Sequence, residues 1–326
     1  MQPPVRTRVF RFLLLPEFSA IGFLSALEPL RVVNRFLENA YQWRLLSLDG
    51  GPVTASNGMS LNVDGSIDAA VSSETVIVVA SYNPLVHYQR PLRVWLHSAW
   101  QAGAILGALD TGAFVLAEAR LLGSQPITLH WEAKAAFLER YPTLRVTDDL
   151  FLINDRCMTC AGGTSAIDMM LALIAQEHGK SMAAVVSEQL VLGRIRNQAD
   201  HQRMQISTRY GVHNNHAVRV IEVMEQHLEE PLAPEALAAL IGVSQRQMER
   251  LFRSHLQQTP AHFYLSLRLA RARELLQQTA LSVTAICVAC GFVSASCFSR
   301  AYRKQFGVSP TVDRARARYV SQPSKK

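Results

Sequence analysis

The sequence predicts two domains of different class, an α/β domain on a mostly parallel sheet followed by an all-α domain with two helix-turn-helix motifs. Three observations lead there. Through about the first 180 residues, short β-rich runs alternate with amphipathic stretches, the order that a parallel sheet covered by helices requires. From Ser181 onward the β signal stops. A helix, turn, helix pattern near Gly242 then returns about 50 residues later, around Gly291.

The elements follow in order. Strands are expected at 9–15, 43–48, 75–80, 104–109, 127–129 and 151–154, and helices at 19–36, 92–101, 112–122, 132–141 and 164–178. The 75–80 run, Thr-Val-Ile-Val-Val-Ala, is apolar at both parities, as befits a parallel strand buried on both faces. Residues 182–196 read as one more helix, and 197–215 as a polar linker rich in Gln, His and Arg. The domains are placed at 1–200 and 216–320, with 201–215 between them.

Within the second domain an acidic helix at 217–228 stops before Pro231. Residues 234–241, the triplet Gly242-Val243-Ser244 and 245–255 form the first motif; 283–290, the turn Gly291-Phe292-Val293-Ser294 and 295–306 form the second. Met248 matches Phe298, Arg250 matches Arg300, and Phe252 matches Tyr302. The helix between, 260–277, is about 27 Å long at 1.5 Å per residue, a strut that would set two recognition helices about one DNA turn apart.

Composition bounds the function. A chain of 326 residues that is 49% hydrophobic and 18% charged is globular, which excludes disorder, collagen and coiled coil as the main state. No apolar run is long enough for a membrane helix. The run after Arg6 and Arg8 meets Pro16 and Glu17 too early for a signal peptide. Five cysteines, an odd number in a long chain, point to a reducing cytoplasm rather than a disulfide framework.

The net charge of +7 is unevenly placed. Residues 1–211 hold 18 basic and 18 acidic groups, whereas 212–326 hold 15 basic and 8 acidic. A basic tail domain calls for a polyanion, with nucleic acid the first candidate. The DNA-contacting residues expected are Ser244, Arg246, Gln247 and Arg250 from the first motif, and Ser294, Ser296, Ser299 and Arg300 from the second. Ser244 is also placed to cap its helix.

Gly291-Phe292 with Ser294, Phe298-Ser299-Arg300, Tyr302-Arg303 and Phe306-Gly307-Val308-Ser309-Pro310 resemble the signature of the AraC/XylS family of transcription regulators. The resemblance covers about the last 100 residues. It implies two DNA-reading motifs, transcription activation with RNA polymerase as a partner, and a homodimer.

In the first domain the junction Leu109-Asp110-Thr111-Gly112-Ala113-Phe114 is the most informative feature. A buried strand delivers Asp110 to a sharp turn at a helix start, where backbone N–H groups gather. An Asp that merely caps its helix is the plainer reading of the same residues. Gly112 to Ala117, His130-Trp131 and Ala161-Gly162-Gly163-Thr164 resemble the class I glutamine amidotransferase-like, flavodoxin-like fold in its PfpI branch. Catalytic members carry a Cys at this elbow, an acid from the first helix and a nearby His. Glu28 and His130 match the last two, but the elbow residue here is Asp110.

A carboxylate in place of the thiolate removes the acyl-transfer nucleophile. What the resemblance then implies is a ligand site rather than an enzyme, with no cofactor or metal. Its members include regulators described as sensing arginine, carnitine or glycine betaine, and Ser25 to Arg31 with Asn34 is typical of them. The ligand residues expected are Glu28, Tyr82, Asn83, Asp110, Thr111, His130 and Trp131, around a small cationic metabolite held partly by cation–π attraction. Two alternatives stand beside this: a PfpI-like hydrolase or amidase using Cys157 or Cys160, and an α/β domain that only dimerises. Cys157-Met-Thr-Cys160 has the spacing of a redox or zinc pair without a second pair nearby, and Cys287, Cys290 and Cys297 read as small core residues.

Overall fold

The computed structural model describes residues 7–68, 74–279 and 281–320; Arg6, Lys325 and Lys326 lie outside them. The chain divides into two compact units, Met1–Gln202 and Arg203–Lys326.

In the first unit, β1 (Arg8–Leu14), α1 (Ala20–Val33), β2 (Tyr41–Ser47), the small antiparallel pair β3 (Val53–Thr54) and β4 (Ser60–Leu61), β5 (Gly65–Ser66), β6 (Thr75–Ala80), α2 (Arg90–Gln101), β7 (Ile105–Asp110), α3 (Gly112–Glu118), α4 (Lys134–Arg140), β8 (Phe151–Ile153), β9 (Cys157–Cys160), α5 (Ser165–His178) and α6 (Lys180–Gln189) follow in chain order. The main sheet runs β5-β2-β1-β6-β7-β9-β8 and is parallel except for the β8–β9 pair. Side chains alternate across it. Phe10, Phe12 and Leu14 of β1, with Ile77 and Val79 of β6, join Phe23, Leu30, Met169 and Ile174 of α1 and α5 on one face. Leu13, Val76 and Val78 join Leu96, Val115 and Leu116 of α2 and α3 on the other. Both central strands are therefore buried on both sides.

Several expectations shift. The strand expected at 127–129 is a single bridge from Ile127 to Val146, because Thr128 spends its N–H on the Thr159 side chain. The Cys-Met-Thr-Cys stretch is itself a strand, β9, turned back from β8 by a hairpin in which the Asn154 N–H meets Cys157 O at 2.8 Å. The helix expected through residue 196 ends at Gln189. Beyond it, Arg196 pairs with Asp168 of α5 at 2.7 Å, and the Gln202 amide donates to Thr128, Leu129 and Asp149. Those bonds tie 196–202 to the first unit.

The second unit holds α7 (Ile206–Tyr210), α8 (Asn215–Gln226), α9 (Pro234–Leu240), α10 (Gln245–Leu256), α11 (Pro260–Gln278), α12 (Val283–Ala289), α13 (Ala295–Phe306) and α14 (Pro310–Val320). Helix α7 lies inside the stretch expected as linker, where Ile206 and Tyr210 pack on the core and Arg209 pairs with Glu225 of α8 at 2.6 Å. Met248 and Phe252 of α10 and Phe298 and Tyr302 of α13 are fully buried at matching places. The turns match as well, with Gly242 at φ +71° and Gly291 at φ +70°, a left-handed conformation that glycine takes without steric cost. The duplication extends past the two motifs. Gln257 and Gly307 both end a recognition helix in the left-handed region, and Thr259-Pro260 and Ser309-Pro310 then open α11 and α14.

Candidate ligand site and DNA interface

The first site is built where β7 ends. Asp110 closes the strand at φ +59°, a left-handed turn that Asp tolerates better than most residues, and α3 begins two residues later. The turn is packed tightly. A Cβ at Gly112 would lie 2.4 Å from Val78 O, and one at Gly162 would lie 2.7 Å from Asp110 Cβ. Thr111 donates its hydroxyl to Ser81 O, while the Ser81 side chain and the Thr111 N–H bond the Asp110 carboxyl. Asp110 is 8% exposed. Burial pushes its pKa up to about 7, against the opposing hydrogen bonds and with the charge of Glu132 adding to the rise. The carboxylate expected from sequence is thus a carboxyl poised at its ionisation point, because loss of water outweighs two hydrogen bonds.

Tyr82 lies near enough to feel its charge, with Asn83 next in the chain, and His130 and Trp131 precede Glu132, whose charge also reaches Asp110. Tyr82 is half exposed, and its hydroxyl is raised first by burial and then by the charges of Glu132, Asp110 and Glu17. Asn83 sits at φ +47°, heading a short 3-10 helix at Pro84–His87. His130 Nδ1 lies 3.9 Å from Glu132 Oε2, and its ring is 5.7 Å from that of Trp131. Burial lowers the His130 pKa, so the imidazole is neutral at pH 7 and adds no positive charge.

Glu28 is not brought to this place. It pairs with Arg31 at 2.7 Å on the outer part of α1. Gly22, where α1 comes up against Gly163, is six residues earlier, about 9 Å along the axis. The carboxylates that do bear on the site are Glu17, in a left-handed turn at φ +63°, and Glu132. The signal for Glu17 was the Pro16-Glu17 break between strand and helix, and for Glu132 its position two residues after His130.

Both cysteines of β9 are held toward the neutral thiol by burial. Cys160 is wholly buried, 3.1 Å from Ser165 Oγ, and burial pushes its thiol up to about 11. Cys157 is likewise raised to about 11 by burial. Three residues apart on a strand, their Cα atoms are about 10 Å apart and their side chains leave opposite faces, too far for a disulfide. Among the described residues no cluster of His, Cys, Asp and Glu is arranged to hold a metal ion.

The second site is the outer face of the two recognition helices. Arg246, Arg250 and Arg253 of α10 and Arg300, Arg303 and Lys304 of α13 are exposed, and among the described residues none of them forms an ion pair. Their charge is therefore free for phosphates or base edges. Ser244 and Gln247 are engaged with each other. The Gln247 N–H donates to Ser244 Oγ at 3.2 Å and the Ser244 N–H to Gln247 Oε1 at 2.8 Å, a reciprocal cap. Ser294 caps α13 through the Cys297 N–H, with Ser296 Oγ 2.8 Å away. Ser296 is exposed and Ser299 half-buried. Cys287 and Cys290 are buried as expected, but Cys297 is exposed in the first turn of α13, where the helix face that carries it points away from the Phe298–Tyr302 core.

Residues 11–176 match the DJ-1/PfpI family, and residues 237–316 match a helix-turn-helix domain family. The HTH-type transcriptional regulator CdhR of Pseudomonas aeruginosa is 55% identical over 94% of this chain and 91% of its own length. The HTH-type transcriptional regulator GbdR of Pseudomonas aeruginosa is 40% identical over 93% of this chain and 83% of its own. Among solved structures, an AraC family transcriptional regulator from Pseudomonas putida superposes with a TM-score of 0.52 at 29% identity, covering 56% of this chain and 99% of that one. The chain thus belongs to the family of HTH-type transcriptional regulators that join a DJ-1/PfpI domain to an AraC-type helix-turn-helix domain, and it is a DNA-binding regulator of transcription.

Proposed function

We propose that the first unit senses a small cationic metabolite at Asp110 and thereby governs how the second unit engages promoter DNA. The observation that carries this reading is a carboxyl at the elbow, with Glu132 acting on it and with Glu17 and Glu132 both acting on Tyr82 beside it. Three acids with an aromatic face favour an ammonium or guanidinium over an anion or a neutral solute. Carnitine, glycine betaine and arginine are the candidates. Ligand binding shifts DNA binding only if it favours one arrangement of the protein over another.

The site performs no chemistry on its ligand, since it offers no thiolate and its imidazole has no activated partner to serve. A homodimer, contact with RNA polymerase, transcription activation and a cytoplasmic location complete the proposal. Calorimetry on the full chain tests it. One of the three cations should bind wild type and bind Asp110→Asn at least tenfold more weakly. No heat with any of them, or equal binding by the variant, would sink it.

A further inference from the structure

Helix α11 touches the second motif and the loop leading into the first through polar side chains one turn apart. Tyr264 donates its hydroxyl to His227 O and accepts the Leu232 N–H at 3.3 Å, which ties α11 to the loop ahead of α9. Four residues on, Arg268 reaches the other motif. Its Nε donates to Cys290 O at 2.8 Å and its Nη2 to Gly291 O at 2.6 Å, while the guanidinium lies 4.1 Å from the Phe292 ring centroid. Those two carbonyls close the C-terminal end of α12, where backbone acceptors have no partner within the helix. On its other side Gly291 meets the loop that leads into the first motif. A Cβ there would fall 2.6 Å from Pro231 Cδ and 2.8 Å from Glu229 O. The turn of the second motif is thus held between an arginine of the strut and the loop that leads into the first.

We propose that Arg268 is a positioning residue for DNA binding: it pins the 290–292 turn to α11 and so fixes the spacing and rotation of the two recognition helices. It does not touch DNA in this role, because its guanidinium is half-buried and turned to backbone carbonyls and a ring. A planar fork can bridge two carbonyls and stack at once; a lysine ammonium cannot. The consequence is one of linked binding. With the two helices held at a fixed spacing, engagement of the first half-site presents the second helix at a high effective concentration, and a loose joint dilutes it.

The inference rests on both motifs reading DNA, and the test separates the two ideas. Full-length wild type, Arg268→Gln and Arg268→Lys are titrated against a duplex selected from a random pool by the wild type. The same duplex is used with either half scrambled and with one base pair inserted between the halves. Arg268→Gln should lose about tenfold on the intact duplex and less than about twofold on the half-scrambled ones, and the wild-type penalty for the inserted base pair should shrink. Arg268→Lys keeps the charge and the buried stem, should show the same pattern, and carries the test alone if the glutamine variant loses its helical signal. Equal losses on every duplex, no loss on any, or full rescue by lysine would overturn the proposal. Wild-type affinity indifferent to scrambling either half would overturn the two-motif reading and the positioning role with it.

Discussion

Replacing Asp110 by Asn should stabilise the first unit, and the gain should grow with pH. In an unfolded chain this carboxyl ionises at 3.8, whereas in the fold burial holds it to about 7. Its contribution to stability is therefore whole below pH 3.8 and is lost as pH rises, levelling off above 7. At 1.36 kcal/mol per decade the full loss is about 4 kcal/mol, of which about 2.5 kcal/mol falls between pH 5 and pH 8. Asn keeps the volume, tolerates the left-handed backbone and does not titrate. All four tryptophans lie in the first unit, so urea unfolding followed by tryptophan fluorescence reports that unit alone. The stability gap between variant and wild type should widen by about 2 to 3 kcal/mol from pH 5 to pH 8. A gap that is the same at both would mean that the carboxyl is not held protonated by burial, and the electrostatic account of the site would fail.

Four further outcomes follow from the two sites. A bound cation favours the ionised carboxyl, so binding should release close to one proton at pH 6 and few at pH 8, with affinity falling about tenfold between pH 8 and pH 6; calorimetry in buffers of different ionisation heat counts the protons. Arg246→Ala should relax base preference in one half of the operator and Arg300→Ala in the other, by about 1 to 3 kcal/mol for each lost guanine pairing; selection from random duplexes reads both. Ser244→Ala should act differently, weakening the α10 cap by about 1 kcal/mol without changing the preferred sequence. The log of DNA affinity should fall against the log of salt with a slope of about −4 to −7, if about 4 to 8 phosphates are neutralised.

The parallel sheet was legible because its central strands are apolar at both parities, and the tail because glycine, serine and aromatic spacings recur. Strand β9 was not, since Cys157-Met-Thr-Cys160 has the length of a strand and the spacing of a metal or redox pair, and only its neighbours β7 and β8 decide between them. Helix α14 escaped for a related reason: Pro310 looks like a stop until the copy at Pro260 shows it to be a start. At the ligand site the elbow itself was visible in the sequence, but its acids were not. Glu28 suited the expected helix, yet helix phase gives it Arg31 as partner, whereas Glu17 and Glu132 reach the site from loops with no periodicity to read. The protonation of Asp110 depends on burial from both sides of the turn, which no local pattern records. Gln247 has the composition of a base reader and the position of a cap, and its hydrogen bonds with Ser244 complete the α10 cap.

The coupling of the two sites is tested most directly by operator binding of the full chain at pH 8, with and without carnitine, glycine betaine or arginine at a concentration that fills the wild type but not the variant, in wild type and Asp110→Asn. The account expects one of these cations to change wild-type operator affinity or stoichiometry, and Asp110→Asn to bind the operator like unliganded wild type whether or not the cation is present. An equal response in the two proteins, or none in the wild type, would contradict it.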